Sequence, residues 1–467
     1  VLRADVYRPR TTDPVPVLLM RTQYGKSGAQ TSPERYQPPD WFASHCYLVV
    51  VQDVRGQGTS GGVFSEFTND MADGYDTVEW AAGLPGANGK VGMYGSSYVG
   101  ATQWLAAVTA PPHLTTIVPA NTASDYYDGW TYEGGEFRLA FVQPWAIDSI
   151  ALGAAQNRRD AEAERVLRDA AADPTRWLNF RPQQDLPPMQ PHNPAVAPWY
   201  FDWVRHNTRD AFWQQVSIRD RYPAVRIPVL HFEGWYDAFL AGGVENFAGM
   251  VSHGGNDFAR ANQRLVIGPW DHVAWGRPDS EPAPLLKDIG AVGNSPINEL
   301  MLAWFEHFLK GVDNGVSGKP RVDYFTMGAN TWKTATNWPL PQTQWINFYL
   351  SGAGGIADRA GKLLPVLDTR SGMFDSELVE AYKGVYTPEE LKQFLAFLLT
   401  ILKDTKTFVS QKISMRKPRA KKPVTPEKQV SKLKYKETGS IDPRKVIGAM
   451  QLWVFNTKTR KLGVYNA

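Results

Sequence analysis

A single cysteine, Cys46, stands in a chain of 467 residues. It excludes an intramolecular disulfide and a cysteine-rich zinc site, and it suits a reducing compartment, so a cytoplasmic location is slightly favoured. No apolar run reaches the roughly 18 residues of a membrane-spanning helix, and the longest candidate, Phe394 to Leu402, falls well short. No membrane partner is therefore expected. His-Glu-x-x-His and the EF-hand pattern are absent, so neither a metal nor another cofactor is expected. The first residue is Val1, already in strand-like sequence, so a secretion signal would lie ahead of it.

What is present is a chain with 43% hydrophobic and 12% aromatic residues, enough to bury one large core and more. Its net charge of +3 hides an asymmetry. Residues 1 to 370 hold 31 Lys and Arg against 38 Asp and Glu, whereas residues 371 to 467 hold 19 against 9. The basic residue changes too, from 24 Arg and 7 Lys to 4 Arg and 15 Lys. Such a switch suggests a segment of separate origin. Within it, Pro388 to Asp404 reads as a helix opened by Thr387-Pro388-Glu389-Glu390, and Lys412 to Lys445 as a solvated stretch. Met415 to Lys422 could bind nucleic acid or an acidic partner; a linker is the plainer reading.

Before that switch, short β-rich runs alternate with amphipathic segments, the pattern of an α/β protein on a mostly parallel sheet. The runs are Pro16 to Met20, Tyr47 to Val51, Val91 to Tyr94, Thr115 to Val118, Pro228 to Phe232 and Arg264 to Ile267. Asp70 to Ala82 places Met71, Tyr75, Val78 and Ala82 at helical spacing, which predicts a helix covering the sheet. About 110 residues separate the fourth run from the fifth, too many for a connection, so they should form an inserted helical cap. The cap holds 15 aromatics between Tyr126 and Trp213, which serve as its core or line an apolar pocket. After a helix from Asn298 to Lys310, strands Arg321 to Met327 and Gln344 to Leu350 read as the start of an all-β domain.

The sharpest local feature is Val91-Gly92-Met93-Tyr94-Gly95-Ser96-Ser97-Tyr98-Val99-Gly100, a strand, a turn of small residues and a helix from Val99 to Ala107. A serine on so tight a turn projects its hydroxyl above the sheet, and the helix N-terminus favours developing negative charge. The second glycine of the usual Gly-x-Ser-x-Gly falls one place late, at Gly100. A serine needs a base, and the base a carboxylate to orient it. Chemistry in an open α/β sheet gathers beyond the C-terminal strand ends. There the fifth run leads into Glu233-Gly234-Trp235-Tyr236-Asp237 and the sixth into Gly268-Pro269-Trp270-Asp271-His272. The order Ser97, Asp237, His272 is that of α/β-hydrolases.

Rivals exist. Glu233 and Asp271 are alternative acids, although Asp271 adjoins His272 and neighbouring side chains diverge. His45, His113, His192, His206, His231, His253 and His307 lack the same loop context and read as structural. The amide of Tyr98 would face the oxyanion by construction, and Tyr24, after the first run, could supply a second donor. Gly56-Gln57-Gly58-Thr59-Ser60-Gly61-Gly62 lacks the Gly-Lys-Ser/Thr of a phosphate loop and reads as a turn.

Taken jointly, Ala4-Asp5-Val6-Tyr7-Arg8-Pro9, Arg21-Thr22-Gln23-Tyr24, Gln52-Asp53-Val54-Arg55-Gly56, Val91 to Gly100, Gly234-Trp235-Tyr236-Asp237, Gly268-Pro269-Trp270-Asp271-His272 and Asn337-Trp338-Pro339-Leu340-Pro341 resemble the cocaine-esterase and X-prolyl dipeptidyl-peptidase-like serine hydrolases, over about residues 1 to 364. The resemblance implies Ser97 as nucleophile, Asp237 as orienting acid, His272 as base, and Tyr24 hydroxyl with Tyr98 amide as oxyanion hole. It further implies an α/β-hydrolase domain at 1–119 and 223–312, a helical cap at 120–222 and a jelly-roll, here partial at 313–364; the basic segment at 365–467 lies outside the resemblance and reads as of separate origin. Cleavage of carboxylic esters, extending to amides, is expected through an acyl-enzyme, with X-Pro dipeptidyl release or acylase activity as the alternative. Ala238-Phe239 stands where amino-ester hydrolases of that family carry acidic residues, so plain esters are expected.

Overall fold

The computed structural model describes residues 1–31, 37–190, 196–272, 289–294 and 297–343, together with four short strands beyond them. It divides into two compact units, Val1–Phe325 with Trp332–Pro341, and Thr326–Thr331 with Gln342–Ala467.

The first unit is built on nine strands: β1 (Arg3–Tyr7), β2 (Val15–Thr22), β3 (Leu48–Asp53), β4 (Ala87–Ser96), β5 (Leu114–Ala120), β6 (Val229–Tyr236), β7 (Gln263–Asp271), β8 (Val322–Thr326) and β9 (Thr331–Ala335). Their order is β1-β3-β2-β4-β5-β6-β7-β8-β9. β1 is antiparallel to β3, and every pairing from β3 through β8 is parallel. Strands covered on both faces read as continuous apolar runs, and the side-chain period of two sorts them. Val17, Leu19, Leu48 and Val50 join one buried cluster, while Leu18, Met20, Val49 and Val51 join the other.

Helices α1 (Asp70–Ala82), α2 (Tyr98–Ala107), α3 (Leu240–His253) and α4 (Ile297–Lys310) flank this sheet. On α4, Met301, Trp304, Phe305 and Leu309 bury the stripe that its spacing requires. The buried face of α1 differs from the expectation. It consists of Asp70, Asp73, Gly74, Thr77, Val78, Ala81 and Ala82, while Tyr75 is exposed. The reason is the company this helix keeps. A Cβ on Gly74 would meet Ala106 Cβ at 2.8 Å, and Asp70 and Asp73 pair with Arg21 and Arg55, so close approach and ion pairs select the face.

Between β5 and β6 lie helices at Leu139–Trp145, Leu152–Arg158, Ala161–Ala172 and Pro198–Arg205, with a π-helical turn at Ala146–Ala151. Trp130, Trp199, Tyr200 and Trp203 are buried among them. At the far edge, Arg321 to Met327 supplies β8, which pairs in parallel with β7 through Val322–Leu265 and Tyr324–Ile267. Its alternating pattern did not reveal that partner.

The described residues of the second unit form two antiparallel pairs, Tyr349–Leu350 with Ile356–Ala357, and Trp453–Asn456 with Lys461–Val464. The helix read at Pro388 to Asp404 and the stretch Lys412 to Lys445 lie outside the described residues.

One buried group sets an acid limit on this core. His231 on β6 packs between Trp104 and Phe247, with Nε2 3.0 Å from Gln263 Oε1. Burial lowers its pKa to about 4, opposed by the hydrogen bond that Nε2 donates to Gln263. Below about pH 6.5 the unfolded chain takes a proton that the folded one refuses, so stability present above 6.5 is lost as pH falls towards 4. Between pH 7 and 5 this group alone should remove about 2 kcal/mol. Urea unfolding at the two pH values would measure the loss, and His231→Gln should flatten it.

Candidate active site

Four loops leave the C-terminal ends of β2, β4, β6 and β7, all on one edge of the parallel sheet, and they carry the residues in question. At the end of β4 the chain must reverse into α2 within a few residues. Gly95 adopts φ +132°, where a Cβ would stand 2.2 Å from Val99 Cγ1, so no side chain fits. Ser97 itself takes φ +61°, strained for a residue with a side chain. Its N–H donates to Ala120 O at 2.9 Å, and its carbonyl accepts from Gly100 and Ala101, which fixes the turn. The late glycine has its own cause. A Cβ on Gly100 would come within 3.0 Å of Ala120 O and 2.9 Å of Thr122 Cβ, so the glycine lets α2 lie against the end of β5.

His272 follows β7 and brings three chain segments together. Its Nε2 lies 2.9 Å from Ser97 Oγ, and its Nδ1 2.6 Å from Asp237 Oδ2. These partners fit an imidazole that donates from Nδ1 to the carboxylate and accepts the serine proton at Nε2. Asp237 has a fully buried side chain, and its other oxygen accepts from Phe239 N at 2.6 Å. Both carboxylate oxygens therefore have donors.

Neither rival acid holds the imidazole. Glu233 is buried, and its carboxylate lies so close to α3 that a Cβ on Gly243 would overlap it. Burial first, and then the nearby Asp237 charge, push its pKa well above the ordinary carboxylate range. Among the rival histidines, His45 is bonded to Trp41 O, His113 to Glu79, His206 to Asp210, His231 to Gln263 and His307 to Val312 O. His253 lies in the last turn of α3, and His192 is outside the described residues.

Tyr24 follows β2 and meets Tyr98 edge-on, with ring centroids 6.4 Å apart. Its hydroxyl oxygen accepts from Trp145 Nε1 at 3.1 Å. The N–H of Tyr98 opens α2, where first-turn N–H groups have no partner within the helix. The Tyr98 side chain points into the core and donates to Asp70 Oδ2 at 2.6 Å, while Asp70 also accepts from Arg21. Burial, followed by the charges of Asp70 and Glu66, raises the pKa of this phenol. It acts as an anchor.

The Gly56 to Gly62 turn is a clasp. Asp53 accepts from Lys26 N and Thr59 N, which ties it to the loop bearing Tyr24. Gln57 donates to Ile150 O, and Asn157 to Gly58 O and Ser60 O, which ties the turn to the helices between β5 and β6. Sequence reasoning gave no role to Asp70, whose weak signal is an acid in the first turn of a helix; Phe239 entered only as a departure from the family's acidic residues and Trp145 only among the aromatics that could line a pocket.

The large, mostly parallel α/β sheet, with a serine on a sharp strand-to-helix turn, is consistent with the α/β-hydrolase fold. Within that class the chain belongs to the X-Pro dipeptidyl-peptidase (S15) family, whose model matches residues 1–274. The model of the X-Pro dipeptidyl-peptidase C-terminal non-catalytic domain matches residues 314–420. The chain is 32% identical over 376 residues to the cocaine esterase of Rhodococcus sp. (strain MB1 Bresler), covering 77% of this chain and 62% of that protein. An aminopeptidase from a marine sediment Thaumarchaeota archaeon has a similar structure, with 22% identity, a TM-score of 0.56 and coverage of 76% of this chain and 59% of that one. A CocE/NonD family hydrolase from Staphylococcus aureus is likewise similar, at 22% identity and a TM-score of 0.54, covering 75% of this chain and 56% of that one. The chain spans less than two thirds of the length of each.

Proposed function

We propose that the protein is a serine hydrolase that cleaves carboxylic esters, and amides by the same chemistry, through an acyl-enzyme. The observation that carries this reading is His272, bonded at Nε2 to Ser97 and at Nδ1 to a buried carboxylate. In it Ser97 Oγ attacks the carbonyl carbon as its proton passes to His272 Nε2. The imidazolium, stabilised by Asp237, returns that proton to the leaving alcohol or amine. Water then repeats the sequence on the acyl-enzyme and frees the acid. Negative charge on the carbonyl oxygen is met by the Tyr24 hydroxyl and the Tyr98 amide.

A fluorophosphonate probe tests the reading directly, because it captures only a serine made nucleophilic. The tryptic peptide containing Ser97 should carry the adduct. An intact, folded protein that takes up no probe, or takes it up elsewhere, would sink the proposal.

The second donor has its own test. Tyr24→Phe should lower kcat by about 10²- to 10³-fold with little change in KM, since an oxyanion donor acts mainly in the transition state. Unchanged ester turnover would remove Tyr24 from the oxyanion hole.

The family match favours a second reading, release of dipeptides with proline second. Comparing prolyl-dipeptide arylamides with simple aryl esters separates the two. For the organisation of the chain, we propose a hydrolase domain at 1–119 and 223–312 with residues 120–222 as its cap, followed by a partial jelly-roll at 313–364; the match of the C-terminal non-catalytic domain model from residue 314 supports that boundary.

A further inference from the structure

The two donors proposed for the oxyanion follow neighbouring strands whose pairing stops short of both. The last ladder pair of β2 and β4 is Leu19 with Met93, while Tyr24 and Tyr98 each lie five residues further along the chain. Backbone pairing therefore does not set the distance between the donors.

One side chain reaches both sides of this gap. Asp70, in the first turn of α1, accepts from the Tyr98 hydroxyl at 2.6 Å through Oδ2 and from Arg21 Nη1 at 3.3 Å through Oδ1. Tyr98 carries one donor amide, and Arg21 stands three residues before Tyr24. The guanidinium is itself held in place. Its Nη1 donates also to Asp70 O at 3.2 Å, and its Nε to Gln52 Oε1 at 3.0 Å, an oxygen that accepts from Thr77 of α1 as well. Thr102 of α2 adds a tie from its hydroxyl to Arg21 O at 3.1 Å. Arg21 and Tyr98 are 0% exposed and Asp70 is 3% exposed, so these bonds are made away from solvent, where charge-assisted hydrogen bonds hold their geometry best. Burial raises the pKa of Asp70, opposed first by the Arg21 charge and then by the Tyr98 hydrogen bond. Asp73, one turn on, is paired with Arg55 instead.

We propose that Asp70 is a positioning residue for the oxyanion hole: bonded to Arg21 on one side and to Tyr98 on the other, it fixes the separation between the Tyr24 hydroxyl and the Tyr98 amide. The inference rests on the hydrolase reading and deepens it. Two donors stabilise one oxygen only when both come within about 2.7–3.1 Å of it. Slack between their loops therefore costs rate and leaves substrate binding alone.

The test is a double-mutant cycle with 4-nitrophenyl acetate as substrate and circular dichroism on every sample. Tyr98→Phe removes one link of the bridge and keeps the ring. It should lower kcat about 10-fold, less than the loss of a whole donor, with KM within about twofold of wild type. In a Tyr24→Phe background there is no second donor left to space, so the same change should cost less than about threefold. Asp70→Asn, which offers one acceptor oxygen to two donors, should show the same pattern. Either variant decides the matter should the other fail to fold. A group that only supports the fold would give equal losses in both backgrounds, because its effect is independent of Tyr24. Equal losses, an unchanged kcat, or a rise in KM with kcat kept would overturn the inference and leave the triad standing. Tyr24→Phe with wild-type turnover would remove the donor and this role of Asp70 together. No turnover by the wild type, with Ser97 unlabelled by fluorophosphonate, defeats the hydrolase reading and this inference with it.

Discussion

Ser97→Ala is expected to lose ester turnover by about 10⁴- to 10⁶-fold, the range seen when the nucleophile of such a triad is removed. The fold should survive. Ser97 Oγ bonds to His272, whereas the turn itself is held by Ser97 N to Ala120 O and by the amides of Gly100 and Ala101, which alanine keeps. The positive φ costs alanine about what it costs serine. Steady-state assay of an aryl ester, with circular dichroism on the same sample, separates lost chemistry from lost structure. Residual activity within tenfold of wild type would show that acyl transfer runs through another group.

The second large effect is expected from Asp237→Asn. The carboxylate accepts at both oxygens, from His272 Nδ1 and Phe239 N, in a fully buried position. An amide of the same shape can keep the acceptor for Phe239 and turn its NH₂ towards Nδ1. The imidazole must then place its proton on Nε2, the atom that has to receive one from Ser97. Loss of about 10⁴-fold in kcat follows from that tautomer alone. Because the shape is conserved, melting temperature should move far less than rate. A kcat reduced less than tenfold would mean that Asp237 is not what orients the base, and would return Glu233 to consideration.

How much of this could be read in advance depends on how local the cause is. The turn at Gly95 to Gly100 was legible because a strand reversing into a helix needs small residues at fixed places, whatever surrounds it. Asp237 and His272 were legible because each follows a β-run on a sheet whose strand ends share one edge. Helix α1 was located correctly, but its buried face was not, since Gly74 and Asp70 answer to Ala106 and Arg21, contacts made across the chain. Strand β8 had the right span and no partner for the same reason: strand propensity says nothing about which edge a strand will extend. Phe239 was noted only as a departure from the family's acidic residues; that its amide would donate to Asp237 carried no pattern.

The hydrogen bond from Trp145 to Tyr24 joins a cap helix to the loop proposed to hold the oxyanion. An oxygen that already receives an indole N–H has its own proton turned elsewhere, so the aim of the phenol is set by where the cap rests.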